Sequence, residues 1–135
     1  MTGGEHLEVV RHIHDAMTTD DYDAVLPHLH TELEVHDHDL PDAPVYHGHA
    51  GYRRSDENWA ASWDSYYRTD EEFLQVGDRV LALFTLRARG RDSGLELARK
   101  DGIVYSFRDG LVSRIDYYGD QDQARAAAEG KVAAT

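Results

Sequence analysis

The alternation of side chains over residues 95–107 constrains the fold of this chain more than any other feature. Successive side chains of a β-strand point to opposite faces of the sheet. One of the two sets is mostly apolar and the other is small or polar, so the segment is predicted to be a long strand with one buried face. That face carries Leu95, Leu97, Arg99, Asp101, Ile103, Tyr105 and Phe107.

Two charged residues, Arg99 and Asp101, lie on this otherwise apolar face. A buried charge is costly unless it is paired, so the two side chains need a reason to be there. They form a structural ion pair, or a bulge at Gly102 reverses the strand register, or they belong to a functional pocket. The sequence leaves these three alternatives open.

The first half of the chain has mainly helical periodicity, whereas the second half has the alternation of strands. Turn signals such as Asp109-Gly110 separate the strands. Helices followed by an antiparallel meander predict an α+β domain. The predicted helices cover residues 7–17, 22–29 and 52–63. The predicted strands cover 33–38, 66–76, 79–89, 95–107 and 111–118. Residues 39–51 are a predicted loop, 120–129 a short helix or tail, and 130–135 a predicted frayed tail.

The composition limits the classes of protein to consider. With 135 residues and no linker or repeat, the chain is predicted to be one domain, residues 1–135. It has no cysteine, which excludes disulfides and thiolate metal sites. A net charge of −12 opposes binding to nucleic acid or to an anionic membrane. The longest apolar run, residues 80–84, is too short to span a membrane, and no secretory signal opens the sequence, so a cytoplasmic location is predicted.

Several motifs at turns and strand starts are similar to those of one family. They are Gly77-Asp78-Arg79-Val80, Ser93-Gly94, Phe107-Arg108-Asp109-Gly110 and, before the third helix, Tyr46-His47-Gly48-His49-Ala50-Gly51. With the order of elements over residues 5–129, they resemble the SnoaL-like branch of the NTF2-like superfamily, which includes ketosteroid isomerase, polyketide cyclases, scytalone dehydratase and limonene epoxide hydrolase. The resemblance implies an α+β cone, in which three N-terminal helices pack in a curved antiparallel β-sheet around a deep apolar pocket, and often a dimer. It leaves the reaction open.

One catalytic position of the family has a matching residue in this sequence. Asp37 follows the first strand, where ketosteroid isomerase keeps its base. The isomerase's oxyanion-hole tyrosine and protonated aspartate align near Ile13 and Ile103, so both groups are absent here. The essential aspartate that the cyclases and the epoxide hydrolase place in the last strand aligns with Tyr117, one residue after Asp116.

The predicted catalytic residues are Asp37, Arg99 and Asp101. Asp37 shares the parity of Leu33 and Val35, and partial burial would raise its pKa toward that of a general base near neutral pH. Arg99 stays protonated and would stabilise an oxyanion or orient a carboxylate, with Asp101 as its partner acid. The predicted substrate-binding residues are His14 on the first helix and the aromatic residues Trp59, Trp63 and Tyr117.

Four His-x-His pairs offer an alternative chemistry: His12/His14, His28/His30, His36/His38 and His47/His49. Such a pair on a strand puts both imidazoles on one face, which suits zinc or a similar ion. The pair at 36 and 38, however, falls on the polar parity, the pair at 47 and 49 lies in the predicted loop, and pairs on helices diverge. We therefore predict no bound metal and no cofactor.

The sequence thus predicts a homodimeric cone that holds a small hydrophobic molecule and performs acid/base chemistry without a cofactor. Cyclisation, isomerisation, dehydration and epoxide opening of a polyketide-like substrate all fit. Two alternatives stay open, namely a binding protein without turnover and a metal-dependent enzyme that uses the histidine-rich loop. The dimer is predicted to form through small residues on the outer sheet face, Ala98, Gly102, Val104 and Ser106.

Overall fold

The chain folds as four helices around one curved six-stranded sheet, and the computed structural model describes residues 3–131. The helices are α1 (Gly3–Met17), α2 (Tyr22–Val25), α3 (Gly48–Ala60) and α4 (Gln121–Ala128). The strands are β1 (Leu29–Asp37), β2 (Tyr46–His47), β3 (Trp63–Val76), β4 (Arg79–Gly90), β5 (Glu96–Arg108) and β6 (Leu111–Tyr118). The predicted α+β class is confirmed.

The sheet has the strand order β2-β1-β6-β5-β4-β3. Strands β3 to β6 form the predicted antiparallel meander. Strand β1 pairs with β6 in parallel, so the sheet contains one parallel pair that the sequence did not indicate. This pair places the end of β1, with Asp37, beside Tyr117 of β6.

Several boundaries differ from those predicted. The second helix ends at Val25, because the chain tightens into a 3-10 turn with Pro27 before Leu29 begins β1. The third helix begins at Gly48 inside the predicted loop and ends at Ala60, so that Trp63 starts β3 instead. The predicted tail falls mostly outside the described residues, since only 130 and 131 of it are described.

The main core lies between the inner face of the sheet and helices α1 and α3. Strand β4 contributes an alternating set of buried residues, Val80, Ala82, Phe84, Leu86 and Ala88. The inner face of β5 is the face that the alternation predicts, although Leu95 precedes the strand and is 71% exposed. The pairing of β4 with β5 runs without a shift through Gly102, so the bulge considered there is absent.

Helix α4 covers part of the outer face of the sheet. Ala124 and Ala128 of this helix pack with Leu81, Leu83 and Val104. A Cβ at Gly102 would lie 2.5 Å from the Cβ of Ala124, so only glycine admits the helix this closely. The prediction that Gly102 and Val104 form an open dimer surface is therefore wrong, because the chain's own α4 occupies it. Within residues 3–131, no helix is long and apolar enough to cross a membrane.

Candidate functional site

A cavity opens between helices α1 and α3 and the inner face of the sheet. Its empty space is about 600 Å³ when the open solvent at its mouth is included. Four of the predicted site residues line it, namely His14, Asp37, Trp59 and Tyr117. The other lining residues are Ile13, Met17, Val35, Tyr52, Ser55, Asp56, Arg68, Ile103, Tyr105 and Ile115.

Asp37 is a buried carboxylate at the end of β1, with 9% of its surface exposed. Its Oδ1 accepts hydrogen bonds from the backbone N–H groups of Asp39 (3.0 Å) and Leu40 (3.3 Å). Burial raises the pKa of Asp37 although these two bonds oppose the change. Among the described residues, none donates a hydrogen bond to Oδ2. One oxygen is thus fixed, and the other is free to take a proton.

Arg99 and Asp101 form the structural ion pair that was one of the three alternatives. Arg99 Nε and Nη2 donate to the two oxygens of Asp101 at 2.6 and 2.9 Å, and Asp101 has no exposed surface. The hydroxyl of Tyr117 donates to Asp101 Oδ2 at 2.6 Å, while Tyr117 also lines the cavity. The expectation that Arg99 and Asp101 line the cavity with Asp37 is therefore wrong: neither is among its lining residues.

Arg99 also anchors the loop that follows Asp37. Its Nη2 donates to Asp39 Oδ2 at 2.8 Å, and the same oxygen accepts from Trp59 Nε1 at 3.2 Å. A Cβ at Gly119 would lie 2.5 Å from Asp39 Oδ1 and 3.1 Å from Arg99 Cζ, so a side chain at this position would displace one of these two groups. The backbone of Asp39 in turn donates to Asp37, which makes Arg99 a positioning residue for that carboxylate.

Trp63 does not line the cavity, contrary to expectation. It begins β3 and lies in a neighbouring groove with Tyr66 and Tyr67. Its ring contacts that of Trp59 with a centroid separation of 5.8 Å. The predicted helix, which would have aimed both tryptophans at the same space, ends at Ala60.

Arg68 is a cavity residue that the strand pattern does not predict. A bulge interrupts the pairing of β3 with β4 between Thr69 and Glu72, where Asp70 has a positive φ of 55°. The extra residue brings Glu71 and Phe73 to the same face as Arg68, although their numbers have opposite parity. Strict alternation along β3 therefore cannot predict which of its residues lie on the inner face of the sheet.

His14 connects the helix to this strand and to β5. Its Nδ1 lies 2.8 Å from Glu71 Oε2, and its Nε2 lies 2.8 Å from the Tyr105 hydroxyl. Burial lowers the pKa of His14 to about 4, so the ring is neutral at pH 7. The His14 hydrogen bond lowers the pKa of Glu71, which is thus an acceptor. Nδ1 therefore carries the proton and donates to Glu71, while Nε2 accepts from Tyr105.

Helix α3 supplies two further cavity residues, Tyr52 and Asp56, which lie one helical turn apart. Asp56 Oδ2 accepts a hydrogen bond from the Tyr22 hydroxyl, and burial raises the pKa of Asp56. Burial also raises the pKa of Tyr52 well above its ordinary value, and no described residue hydrogen-bonds to its hydroxyl. Tyr52, Asp56 and Trp59 recur at helical spacing in the sequence, and this spacing indicates that Tyr52 and Asp56 share the helix face of Trp59.

The histidine pairs are engaged in contacts at several places in the fold. His36 and His38 lie on the outer face and bind Glu34 and Asp116, at 2.8 and 2.9 Å. His49 Nε2 donates to the backbone oxygen of Leu29 at 2.9 Å. Within residues 3–131, no group of three histidine or acidic side chains has an arrangement that could hold a metal ion.

The curved sheet, the inner helices and the enclosed polar and aromatic cavity define a cone-shaped α+β domain. The family model of the SnoaL-like domain matches residues 9–115, well over half of the sequence. The chain therefore belongs to the SnoaL-like family. A search of curated proteins finds no match.

Several solved structures are similar to this chain over nearly their full length. One is an NTF2-like protein of unknown function from Burkholderia pseudomallei, at 20% identity and a TM-score of 0.75, covering 91% of this chain and 95% of that one. A second is TerC co-crystallised with polyporic acid, at 18% identity and a TM-score of 0.73, covering 93% and 98%. A third, provisionally assigned as a polyketide cyclase, is from Xanthomonas campestris pv. campestris, at 18% identity and a TM-score of 0.71, covering 93% and 97%. At such identities the likeness confirms the cone fold alone.

Proposed function

We propose that this protein binds a small hydrophobic molecule in its cavity and transfers a proton on it, with Asp37 as the general base. The single observation that supports this role is the state of the Asp37 carboxylate. It is buried at the cavity, its Oδ1 is held by two backbone N–H groups, and its Oδ2 has no donor among the described residues. Burial also raises its pKa toward the range in which a carboxylate accepts and returns a proton readily.

The proposed reaction begins at a carbon next to a carbonyl group. Asp37 Oδ2 takes the proton, the C–H electron pair forms the enolate, and negative charge develops on the carbonyl oxygen. The Tyr52 hydroxyl is the proposed donor to that oxygen, since it lines the same cavity and is kept protonated by burial. Return of the proton to another carbon of the enolate system completes an isomerisation. In a cyclisation, the enolate carbon instead forms a C–C bond to a second carbonyl carbon of the same molecule, the C=O π pair moves to its oxygen, and the resulting alkoxide takes the proton back from Asp37.

The roles proposed for Arg99 and Asp101 change accordingly. Instead of touching the substrate, Arg99 positions the loop of Asp39, and Asp101 holds the Tyr117 hydroxyl away from the ligand. Trp59, Tyr117 and Ile103 are proposed as apolar walls for a flat substrate. We propose a polyketide-like substrate. The Xanthomonas structure is provisionally assigned as a polyketide cyclase and TerC was crystallised with polyporic acid, and these are properties of those two proteins.

The experiment is an exchange assay that does not require the natural substrate. The purified protein is incubated in D₂O with a panel of aromatic and alicyclic ketones, tetralone among them, and deuterium uptake next to the carbonyl is followed by NMR. The proposal expects uptake above the buffer rate with wild type and loss of that excess in Asp37→Asn. Ligand binding without any exchange would contradict it and favour a binding protein that uses the cavity without turnover.

A further inference from the structure

The cavity contains a cation that the protein itself does not pair. Arg68 lines the cavity from β3, and its Cζ stacks 4.6 Å from the centre of the Phe84 ring. No carboxylate oxygen of the described residues lies within 4 Å of its guanidinium nitrogens. By contrast, Arg99 and Arg114 each make two hydrogen bonds to an aspartate.

The one side chain within hydrogen-bond distance of Arg68 among the described residues cannot accept its proton. Arg68 Nη1 lies 3.3 Å from His14 Nδ1. That nitrogen already donates its own proton to Glu71 Oε2 at 2.8 Å, so two donors face each other across the 3.3 Å contact. The five N–H groups of the guanidinium are thus left without an acceptor among the described side chains.

The nearby acids are committed to other partners. Glu71 accepts from His14, and Asp56 accepts from the Tyr22 hydroxyl. Both act on Arg68 electrostatically, but neither forms an ion pair with it. Arg68 is partly buried, and its charge has no ion-pair partner among the described residues, which is typical of a group that awaits a ligand.

We propose that Arg68 binds an anionic group of the ligand, so that the cavity takes a carboxylate or similar oxyanion joined to an aromatic or alicyclic body. A guanidinium matches a carboxylate with two parallel hydrogen bonds, and the aromatic walls match the ring. Strands β6, β5 and β4 separate β1 from β3 in the sheet, so Asp37 and Arg68 enter the cavity from different sides. An anion held at Arg68 leaves the rest of the ligand free to extend toward Asp37.

This proposal deepens the proposed function by naming the substrate class, yet it can be tested without turnover. The probes are matched pairs, namely benzoate with benzamide and phenylacetate with phenylacetamide. Each pair differs in charge but hardly in shape. Dissociation constants are measured by calorimetry at pH 7.5 for wild type, Arg68→Met and the control Arg87→Gln, which changes an exposed arginine on β4.

We expect wild type and Arg87→Gln to bind the carboxylate about tenfold or more tightly than its amide, because a charge-assisted pair is exchanged for a neutral one. Arg68→Met should lose this preference and bind both members equally. Equal binding by wild type, a preference that survives in Arg68→Met, or failure of both carboxylates to bind at millimolar concentration would each overturn the proposal.

Thermal unfolding of the ligand-free protein gives a second test. If Arg68 is kept for a ligand, Arg68→Met should leave the Tm unchanged or raise it, since a partly buried charge without an ion-pair partner is removed. A marked fall in Tm would assign Arg68 a structural role and contradict the proposal. The two proposals are distinguishable: if carboxylates bind through Arg68 but no ketone exchanges deuterium, the anion site stands and the proton-transfer function fails.

Discussion

Tyr117 donates a hydrogen bond of 2.6 Å to the fully buried carboxylate of Asp101. This contact places the aromatic ring of Tyr117 in the cavity wall and the Arg99–Asp101 ion pair behind it. The charges of β5 therefore support the wall, while the charges that face a ligand belong to Asp37, Asp56 and Arg68. Each consequence of this arrangement can be measured separately.

The ion pair behind the wall should matter for stability. Arg99→Leu leaves Asp101 as an unpaired buried charge, so the free energy of unfolding should fall by about 3–5 kcal/mol. The double variant Arg99→Leu/Asp101→Leu should recover much of this loss, since neither charge is then buried alone. Urea denaturation of the two variants and wild type measures both effects. A double variant less stable than Arg99→Leu would contradict the account.

Asp37 should make the fold less stable as the pH rises. Because the pKa of Asp37 is raised above 3.8 in the folded state, the folded protein holds this proton more tightly than the unfolded chain. The free energy of unfolding thus loses a contribution as the pH rises from 3.8 through the folded pKa. Asp37→Asn should be at least as stable as wild type at pH 7, and this difference should vanish at pH 3. Chemical denaturation at both pH values measures it; a clear loss of stability at pH 7 would contradict it.

His14 should have the opposite effect on acid stability. Its pKa falls from 6.5 to about 4 on folding, so the unfolded chain binds the proton more tightly between these values. Its contribution is complete above pH 6.5 and is lost toward pH 4, by about 3 kcal/mol. His14→Gln keeps a hydrogen-bond donor and an acceptor but does not titrate. In this variant the free energy of unfolding, measured by chemical denaturation, should change less between pH 6.5 and pH 4 than in wild type.

The expected homodimer needs a different surface from the one first considered. Helix α4 already covers Gly102 and Val104, so two sheets cannot meet there. We predict a dimer through the rest of the outer sheet face, where Glu34, His36 and Asp116 carry the polar side chains of β1 and β6. Light scattering should give twice the chain mass at micromolar concentration, and His36→Asp should weaken the assembly. A monomer would contradict the prediction.

The alternation of apolar and polar residues correctly predicted which residues lie on the buried face where a strand is regular. It placed Asp37 on the buried face of β1, and it placed Asp101 on the inner face of an unbroken β5. It missed Arg68, because the bulge at Asp70 changes the parity of β3 and no residue type announces that change. Alternation also could not distinguish a residue that lines the cavity from one that lies behind the cavity wall. Tyr117 and Arg99 both lie on the inner face of the sheet, but only Tyr117 lines the cavity. The helical spacing of Tyr52, Asp56 and Trp59 did contain the missing signal.

The most direct test of the central claim compares two buried carboxylates of the same cavity in the deuterium-exchange assay. Asp37 and Asp56 both line the cavity and both have pKa values raised by burial, so Asp56→Asn is a matched control for Asp37→Asn. We predict that Asp37→Asn lowers the exchange rate by about 10²- to 10⁴-fold, as expected for loss of a general base, and that Asp56→Asn changes it far less. Full activity in Asp37→Asn, or a larger loss in Asp56→Asn, would contradict the assignment of Asp37 as the base.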